Sequence, residues 1–457
     1  MIAFSPRLRT LLNRHLSPQH IFLFSFAALI GLGAMLLWLP AAASAGRLSF
    51  IDALFTSASA VCVTGLATID IGKDLSLTGQ VVTLVLFQIG GLGILTFSTV
   101  LFGLMGRGIS FKGRELCQTI FLHTPRRDFF IVMKWILILT FVQEAVGVVL
   151  LFSRFAAEAP PAAALYRAVY HAVSAFNNCG YSLFSDSLMR YQGDWLVNLT
   201  VMALIVSGGI GFIVQYEILN RIRGCQTTLS LHAKIVLLST AALLAAGALL
   251  FYLFEAPRLL RDVPVGTQFL SSLFQSVTAR TAGFSTVDIS RLTNATILLL
   301  MILMFIGASP GSAGGGIKTT SFTLLMLMIW SRFKGEGNLH VFRRSVPEEI
   351  QTRTIAIIFA SALAVCLITS ALLIAGGAPA GGPGDSRHLF VEYLFEAISA
   401  FGTVGLSMGV TAGLNEVQKL AVILLMFAGR VGPLTLAFSW YASRRSLVYA
   451  EEPVMVG

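Results

Sequence analysis

Four times along this chain an aromatic residue opens a short amphipathic stretch that ends, nine or ten residues later, in a glycine turn. Phe55-Thr56-Ser57-Ala58-Ser59-Ala60 leads to Val63-Thr64-Gly65-Leu66, and Tyr170-His171-Ala172-Val173-Ser174-Ala175 leads to Asn178-Cys179-Gly180-Tyr181. Phe274-Gln275-Ser276-Val277-Thr278-Ala279 leads to Thr281-Ala282-Gly283-Phe284, and Phe395-Glu396-Ala397-Ile398-Ser399-Ala400 leads to Thr403-Val404-Gly405-Leu406. The interval from aromatic to glycine is ten residues in units one, two and four and nine in unit three, so the third turn is one residue tighter. Such self-similarity marks one structural unit used four times.

What flanks each copy decides the solvent. With 56% hydrophobic and 12% charged residues, a water-soluble fold would be left with more apolar surface than it can bury, so the bilayer is the natural medium. Apolar runs at Ile21–Leu39, Gln80–Met105, Trp135–Phe152, Trp195–Leu219, Ile235–Phe254, Ala295–Trp330, Ile355–Ile374 and Leu420–Tyr441 read as eight spans. The stretches before the glycine turns, about 12 to 14 residues, are too short to span and long enough to enter the membrane and return. Irregular backbone after such a pore helix survives at membrane depth only where it lines a water-filled path or is buried in protein. The predicted fold is an all-α integral membrane protein of four helix–pore-helix–helix repeats in pseudo-fourfold arrangement. Its segments are 1–19, repeats at 20–106, 107–220, 221–334 and 335–443, and a tail at 444–457.

If every pair of spans is a hairpin with both ends in the cytoplasm, nineteen Lys and Arg fall inside and eleven outside, Arg280 among the latter; both termini are therefore expected inside. Basic residues recur on the same side in each unit, which argues for parallel repeats and against the inverted repeats of many secondary transporters. The net charge of +10 is dispersed between spans rather than gathered on a face for nucleic acid. Five cysteines and seven histidines show no disulfide or metal-ligand spacing, no cofactor is expected, and no constellation for enzymatic chemistry is present. Arg7, Arg9 and Arg14 before the first apolar run, with Ala41-Ala42-Ala43-Ser44-Ala45 after it, imitate a signal peptide, but the run is longer than a signal core and reads as a retained helix.

A filter for a dehydrated cation needs carbonyl oxygens facing inward, and the backbone turn that achieves this commonly needs positive φ, which glycine permits. Gly65, Gly180, Gly283 and Gly405, with Thr64, Cys179, Ala282 and Val404 before them and Val63, Asn178, Thr281 and Thr403 before those, are the candidate ligands. One copy alone reads as a surface turn; four on matching scaffolds read as a cation pathway. The pore helices direct their negative C-terminal ends toward it. A second register, Gly90-Gly91-Leu92-Gly93, Gly208-Gly209-Ile210-Gly211 and Gly429-Arg430-Val431-Gly432, predicts close helix contact in three following helices.

The third inner helix cannot be continuous. Gly307-Ala308-Ser309-Pro310-Gly311-Ser312-Ala313-Gly314-Gly315-Gly316 is a run no uninterrupted helix tolerates, so a loop is expected beneath the filter. Arg430, ten residues into the last span, is expected to face the cavity and contact the loop carbonyls. Lys318 either anchors the loop or reaches the cytoplasmic interface, and Gln88, Gln143, Glu144, Asn177 and Glu217 read by default as interhelical hydrogen-bonding groups, Glu144 also as a dimer contact or a protonated acid.

The four turns and Gly307–Thr319 together resemble the Trk/Ktr/HKT superfamily of potassium translocating proteins, over nearly the whole chain. The absence of a hairpin before the first unit and the tail Glu451-Glu452-Pro453-Val454-Met455-Val456-Gly457 are similar to its KtrB branch rather than to the longer TrkH. The resemblance implies K⁺ uptake across the bacterial inner membrane, a homodimer with a pore in each protomer, a cytoplasmic ring of nucleotide-binding KtrA-type subunits and an intramembrane gate. A serine at the first filter position accompanies Na⁺ permeation in that family, so Gly65 implies K⁺ preference. Cys179 departs from the family pattern in its side chain only. Na⁺ as a second cargo, and Na⁺ or H⁺ coupling on the same architecture, stay open.

Overall fold

The computed structural model describes residues 18–105, 126–224, 227–335, 339–342, 344–376 and 383–432. The N-terminal arginines, the basic segment at 107–114, the end of the last predicted span and the tail lie outside them.

Unit one comprises α1 (Pro18–Trp38), the pore helix α2 (Phe50–Cys62) and α3 (Leu77–Met105). Unit two comprises α4 (Arg126–Phe155), α5 (Pro161–Phe176), and α6 (Trp195–Gly209) with α7 (Phe212–Ile222). Unit three has α8 (Leu231–Glu255), α9 (Val265–Thr278), and α10 (Asn294–Phe305) with α11 (Thr319–Phe333). A short antiparallel pair, β1 (His340–Val341) and β2 (Arg344–Ser345), precedes unit four: α12 (Glu348–Gly376), α13 (Pro383–Gly402) and α14 (Glu416–Val431).

Start signals are local. Ser49, Asp194, Ser230 and Thr293 each accept a bond from the backbone N–H three residues on, capping α2, α6, α8 and α10, and Asn415 with Gln418 forms a capping box on α14. Pro160-Pro161 and Pro264 set the starts of α5 and α9. Two pore helices exceed the expected length, α5 at 16 residues and α13 at 20.

The units close into a ring. In each, the pore helix packs on its own outer helix, and in units one, two and four on its own inner helix as well. Between units, α3 packs on α5, α6 on α9, α10 on α13 and α14 on α2, so every inner helix also supports the next pore helix in cyclic order. The glycine register makes these contacts close. A Cβ on Gly90, Gly208 or Gly429 would fall on the carbonyl oxygen of Val61, Phe176 or Phe401, each four residues before its turn glycine. Inter-unit polar links add to the packing: Lys419 Nζ meets Asp52 Oδ1 at 2.7 Å, and Asn177 Nδ2 donates to Gln88 Oε1 (2.6 Å) as well as to Glu144 Oε1 (3.2 Å) of its own unit. Gln143 bonds Gln215 at 2.9 Å, and Glu217 accepts from the backbone N–H and hydroxyl of Ser230, so these polar residues hold helices to one another.

One predicted span is broken. Trp195–Leu219 is two helices bent by 102° at Ile210-Gly211. Three glycines in four residues are poor helix formers, and Gly211 takes φ 93° and ψ 134°, a region that L residues avoid.

Candidate ion pathway

Each pore helix ends in a turn whose geometry follows from its length. In units one, two and four the last helical turn closes as a Schellman motif. The N–H groups of Thr64, Cys179 and Val404 bond the carbonyls of Ser59, Ser174 and Ser399, each at 2.8 Å, while Val63, Asn178 and Thr403 bond Ala60, Ala175 and Ala400. Val63, Asn178 and Thr403 are left-handed, at φ 57°, 58° and 49°. Unit three, one residue shorter, replaces the six-residue bond by Ala282 N to Thr278 O at 3.0 Å, and still places Thr281 at φ 70°. Gly65, Gly180, Gly283 and Gly405 follow at φ 87°, 80°, 79° and 91°. Two left-handed residues per turn, one of them not glycine, turn the chain back on itself; the first was not anticipated from sequence.

The four turns meet. A Cβ on Gly65 would fall on the carbonyl oxygen of Cys179, on Gly180 on that of Ala282, on Gly283 on that of Val404, and on Gly405 on that of Thr64. Each glycine therefore abuts the carbonyl preceding the next glycine, and the fourth returns to the first, which is a closed ring. Above it opens a cavity of about 310 Å³ lined by all four glycines together with Ser182, Ser407 and others.

Below the ring lies the interruption between α10 and α11. The loop folds on itself through a parallel bridge between Ile306 and Ile317, a bond from Ser312 Oγ to Ser309 O (2.7 Å) and one from Lys318 Nζ to Gly314 O (2.8 Å). Lys318 thus bonds back onto the loop. Gly315 N donates to Thr403 Oγ1 at 2.9 Å, and Gly314 lies against Thr281 Oγ1, so the loop sits directly under the turns of units three and four.

The break in unit two is the loop's partner. In a continuous helix Phe212 N would bond Gly208 O; here it donates to Gly311 O (2.9 Å), while Gly208 O accepts from Ala313 N (3.1 Å) and Gly209 O from Ser309 N (3.0 Å). Two interrupted helices satisfy each other's orphan backbone groups, which burial demands. The interruption therefore involves unit two as well as unit three, a correction to the reading from unit three alone. Gly432, equivalent to Gly211 in register, has the same backbone angles, φ 92° and ψ 133°.

Arg430, 5% exposed, donates to Ala313 O of the loop, to Gly90 O, and to Gly91 O at 3.3 Å. One guanidinium thereby joins units one, three and four. A second arginine is buried near the loop. Arg280, assigned to an outside segment, is 7% exposed at the end of α9 immediately before the ring residues, and its Nε has no partner. It lines a small cavity with Gly209, Thr240 and Ala308, beside the loop. Its position directly ahead of Thr281-Ala282-Gly283 was the available signal for this burial.

Among known proteins, the family model described as TrkH, cation transport protein, matches residues 19–444. The chain belongs to that family. It is a multi-pass membrane protein of a transporter family, not an enzyme. It is 37% identical to Ktr system potassium uptake protein B of Vibrio alginolyticus over 96% of this chain and 94% of that one. The Bacillus subtilis protein of the same name is 36% identical over 96% and 97%. Potassium/sodium uptake protein NtpJ of Enterococcus hirae is 35% identical over 97% and 98%. The fold is similar to the crystal structure of the potassium transporter TrkH from Vibrio parahaemolyticus, with a TM-score of 0.71 at 19% identity, over 94% of this chain and 86% of the other.

Proposed function

We propose that this chain is the K⁺-translocating membrane subunit of a Ktr-type uptake system in the bacterial inner membrane, with both termini in the cytoplasm. The observation that carries the reading is the closed ring in which each turn glycine abuts the carbonyl of the next unit. Carbonyls of Thr64, Cys179, Ala282 and Val404 supply one layer of four oxygens, and those of Val63, Asn178, Thr281 and Thr403 with the four glycines supply the layers below and above. Together they replace the water shell of a K⁺ ion. The ends of four pore helices converge on the ring and favour a cation.

The loop from Gly307 to Gly316 is the gate. Its position under the ring, its exchange of backbone bonds with Gly208-Gly211, and its contacts to Lys318 and Arg430 support this role. Arg430 places a fixed positive charge beneath the filter while the loop is in place. Relatives named Ktr system potassium uptake protein B support further Ktr components as partners, and the family resemblance implies that these are a second copy of this chain and a cytoplasmic nucleotide-binding KtrA-type ring. A relative named as a potassium/sodium uptake protein favours a second reading, in which Na⁺ is also carried or coupled.

Complementation of a K⁺-uptake-deficient bacterium at low K⁺ tests the assignment, with Gly65, Gly180, Gly283 and Gly405 each changed to serine. The expected result is loss of K⁺ affinity or of preference over Na⁺ in each variant. Wild-type preference and affinity in all four would overturn the filter assignment. Growth of the unaltered strain that rises with external Na⁺ at constant K⁺ would favour the second reading.

A further inference from the structure

The residue after the opening aromatic of each pore helix is polar and buried in all four units: Thr56, His171, Gln275 and Glu396. The residue two places beyond each turn glycine is Ala67, Ser182, Ser285 and Ser407. In units two, three and four these positions meet. His171 Nδ1 lies 2.7 Å from Arg167 O, which assigns the proton to Nδ1 and leaves Nε2 to accept from Ser182 Oγ (2.9 Å) and Leu183 N (3.4 Å). Gln275 Nε2 donates to Ser285 Oγ and Thr286 Oγ1, both at 3.4 Å. Glu396 accepts from Ser407 Oγ on one carboxylate oxygen and from Thr411 Oγ1 (3.1 Å) on the other, and Ser407 Oγ in turn accepts from Gly409 N (2.9 Å). Unit one lacks the pair: Thr56 Oγ1 has no partner, and its carbonyl accepts instead from Tyr181 Oη of unit two at 3.2 Å.

Ser182 and Ser407 line the cavity directly above the ring, so these bonds fix the backbone where an ion sheds its last water. Glu396 differs from the other three in chemistry. It is 0% exposed, and its carboxyl oxygens accept from the hydroxyls of Ser407 and Thr411. A carboxyl so placed tethers the segment after Gly405 behind the mouth of the path.

We propose that Glu396, acting through Ser407 and Thr411, is a specificity-positioning residue of the pathway, holding the unit-four quadrant of the ring at the spacing that discriminates K⁺ from Na⁺. This rests on the ring being the filter. A tether that serves folding alone predicts fewer molecules in the membrane with unchanged ion preference; a tether that sets ring spacing predicts altered preference in the molecules that remain.

The test compares Ser407→Ala, which removes the bond and keeps the carboxyl, with Glu396→Gln, which keeps the shape and replaces one acceptor oxygen by an amide donor, and with Gly405→Ser. K⁺ and Na⁺ uptake are measured in reconstituted vesicles at matched protein. Ser407→Ala and Glu396→Gln are each expected to lower K⁺ preference about fivefold or more through a raised KM for K⁺, with maximal K⁺ rate within about twofold, and the double variant to add little to either single one. Unchanged preference in Ser407→Ala and Glu396→Gln, with preference lost in Gly405→Ser, would overturn the tether and leave the ring standing. Unchanged preference in all three would overturn the ring and the tether with it. Should Glu396→Gln fail to reach the membrane, Ser407→Ala alone decides, because it removes one hydroxyl at the cavity wall.

Discussion

Replacing Arg430 by glutamine isolates the contribution of one side chain to closure. The guanidinium has three backbone acceptors, and only Ala313 O belongs to the loop; Gly90 and Gly91 lie in the continuous helix α3. A buried hydrogen bond from a charged donor contributes about 1.5–3 kcal/mol, so losing the Ala313 bond shifts the loop equilibrium toward displacement by about 10- to 150-fold. Removing the charge lowers the barrier to a cation in the same step. Rb⁺ uptake into vesicles carrying Arg430→Gln is expected to rise about tenfold or more over the unaltered protein, until filter conduction itself limits the rate. Arg430→Lys keeps the charge without the planar fork and is expected to fall between the two. Thermal unfolding in detergent separates this from damage, since a folded variant melts cooperatively. Unchanged or reduced Rb⁺ uptake by a folded, matched Arg430→Gln protein would refute the reasoning.

Other perturbations test neighbouring parts of the same arrangement. Gly211→Ala places an L residue at φ 93° against Pro310 O, a strain of about 1–3 kcal/mol, and is expected to loosen the loop and raise flux as Arg430→Gln does; wild-type flux would show that the unit-two break does not hold the loop. Lys318→Met removes the 2.8 Å bond to Gly314 O and is expected to raise flux by a smaller factor, because that bond is internal to the loop and its first helical turn; a larger rise than in Arg430→Gln would reverse the assignment of the main contact. Arg280→Met removes a buried guanidinium whose Nε is unpartnered and is expected to stabilise the protein by about 1–4 kcal/mol in chemical unfolding; a loss of stability would mean that Arg280 has a partner in the assembled protein.

The fold was largely legible because its constraints are local. Apolar length marks a span, Ser, Thr, Asp and Asn before a run mark a cap, and a glycine at the same offset in four copies marks a turn that needs positive φ. The one-residue deficit of unit three was readable as a count, and it appears as a changed bond at Ala282. Errors arose where the deciding group lay elsewhere in the chain. Gly208-Gly209-Ile210-Gly211 was read as a packing surface within an unbroken span, since nothing nearby supplies donors for the carbonyls that a break exposes; the amides of Ser309 and Ala313, about a hundred residues later, supply them. The burial of Arg280 was likewise not read, because charge counts over whole segments do not see one turn.

By itself the sequence determined that there are four units, that each carries a short pore helix and a glycine turn, and that one inner helix must break, because hydropathy, helix propensity and backbone sterics act over a few residues. Tertiary structure alone decided which carbonyl each turn glycine abuts, that two broken helices trade backbone hydrogen bonds, and that Arg430 also reaches Gly90 and Gly91 of unit one. Those outcomes depend on which unsatisfied donor meets which unsatisfied acceptor across units. Only the packed ring brings such groups within hydrogen-bond distance.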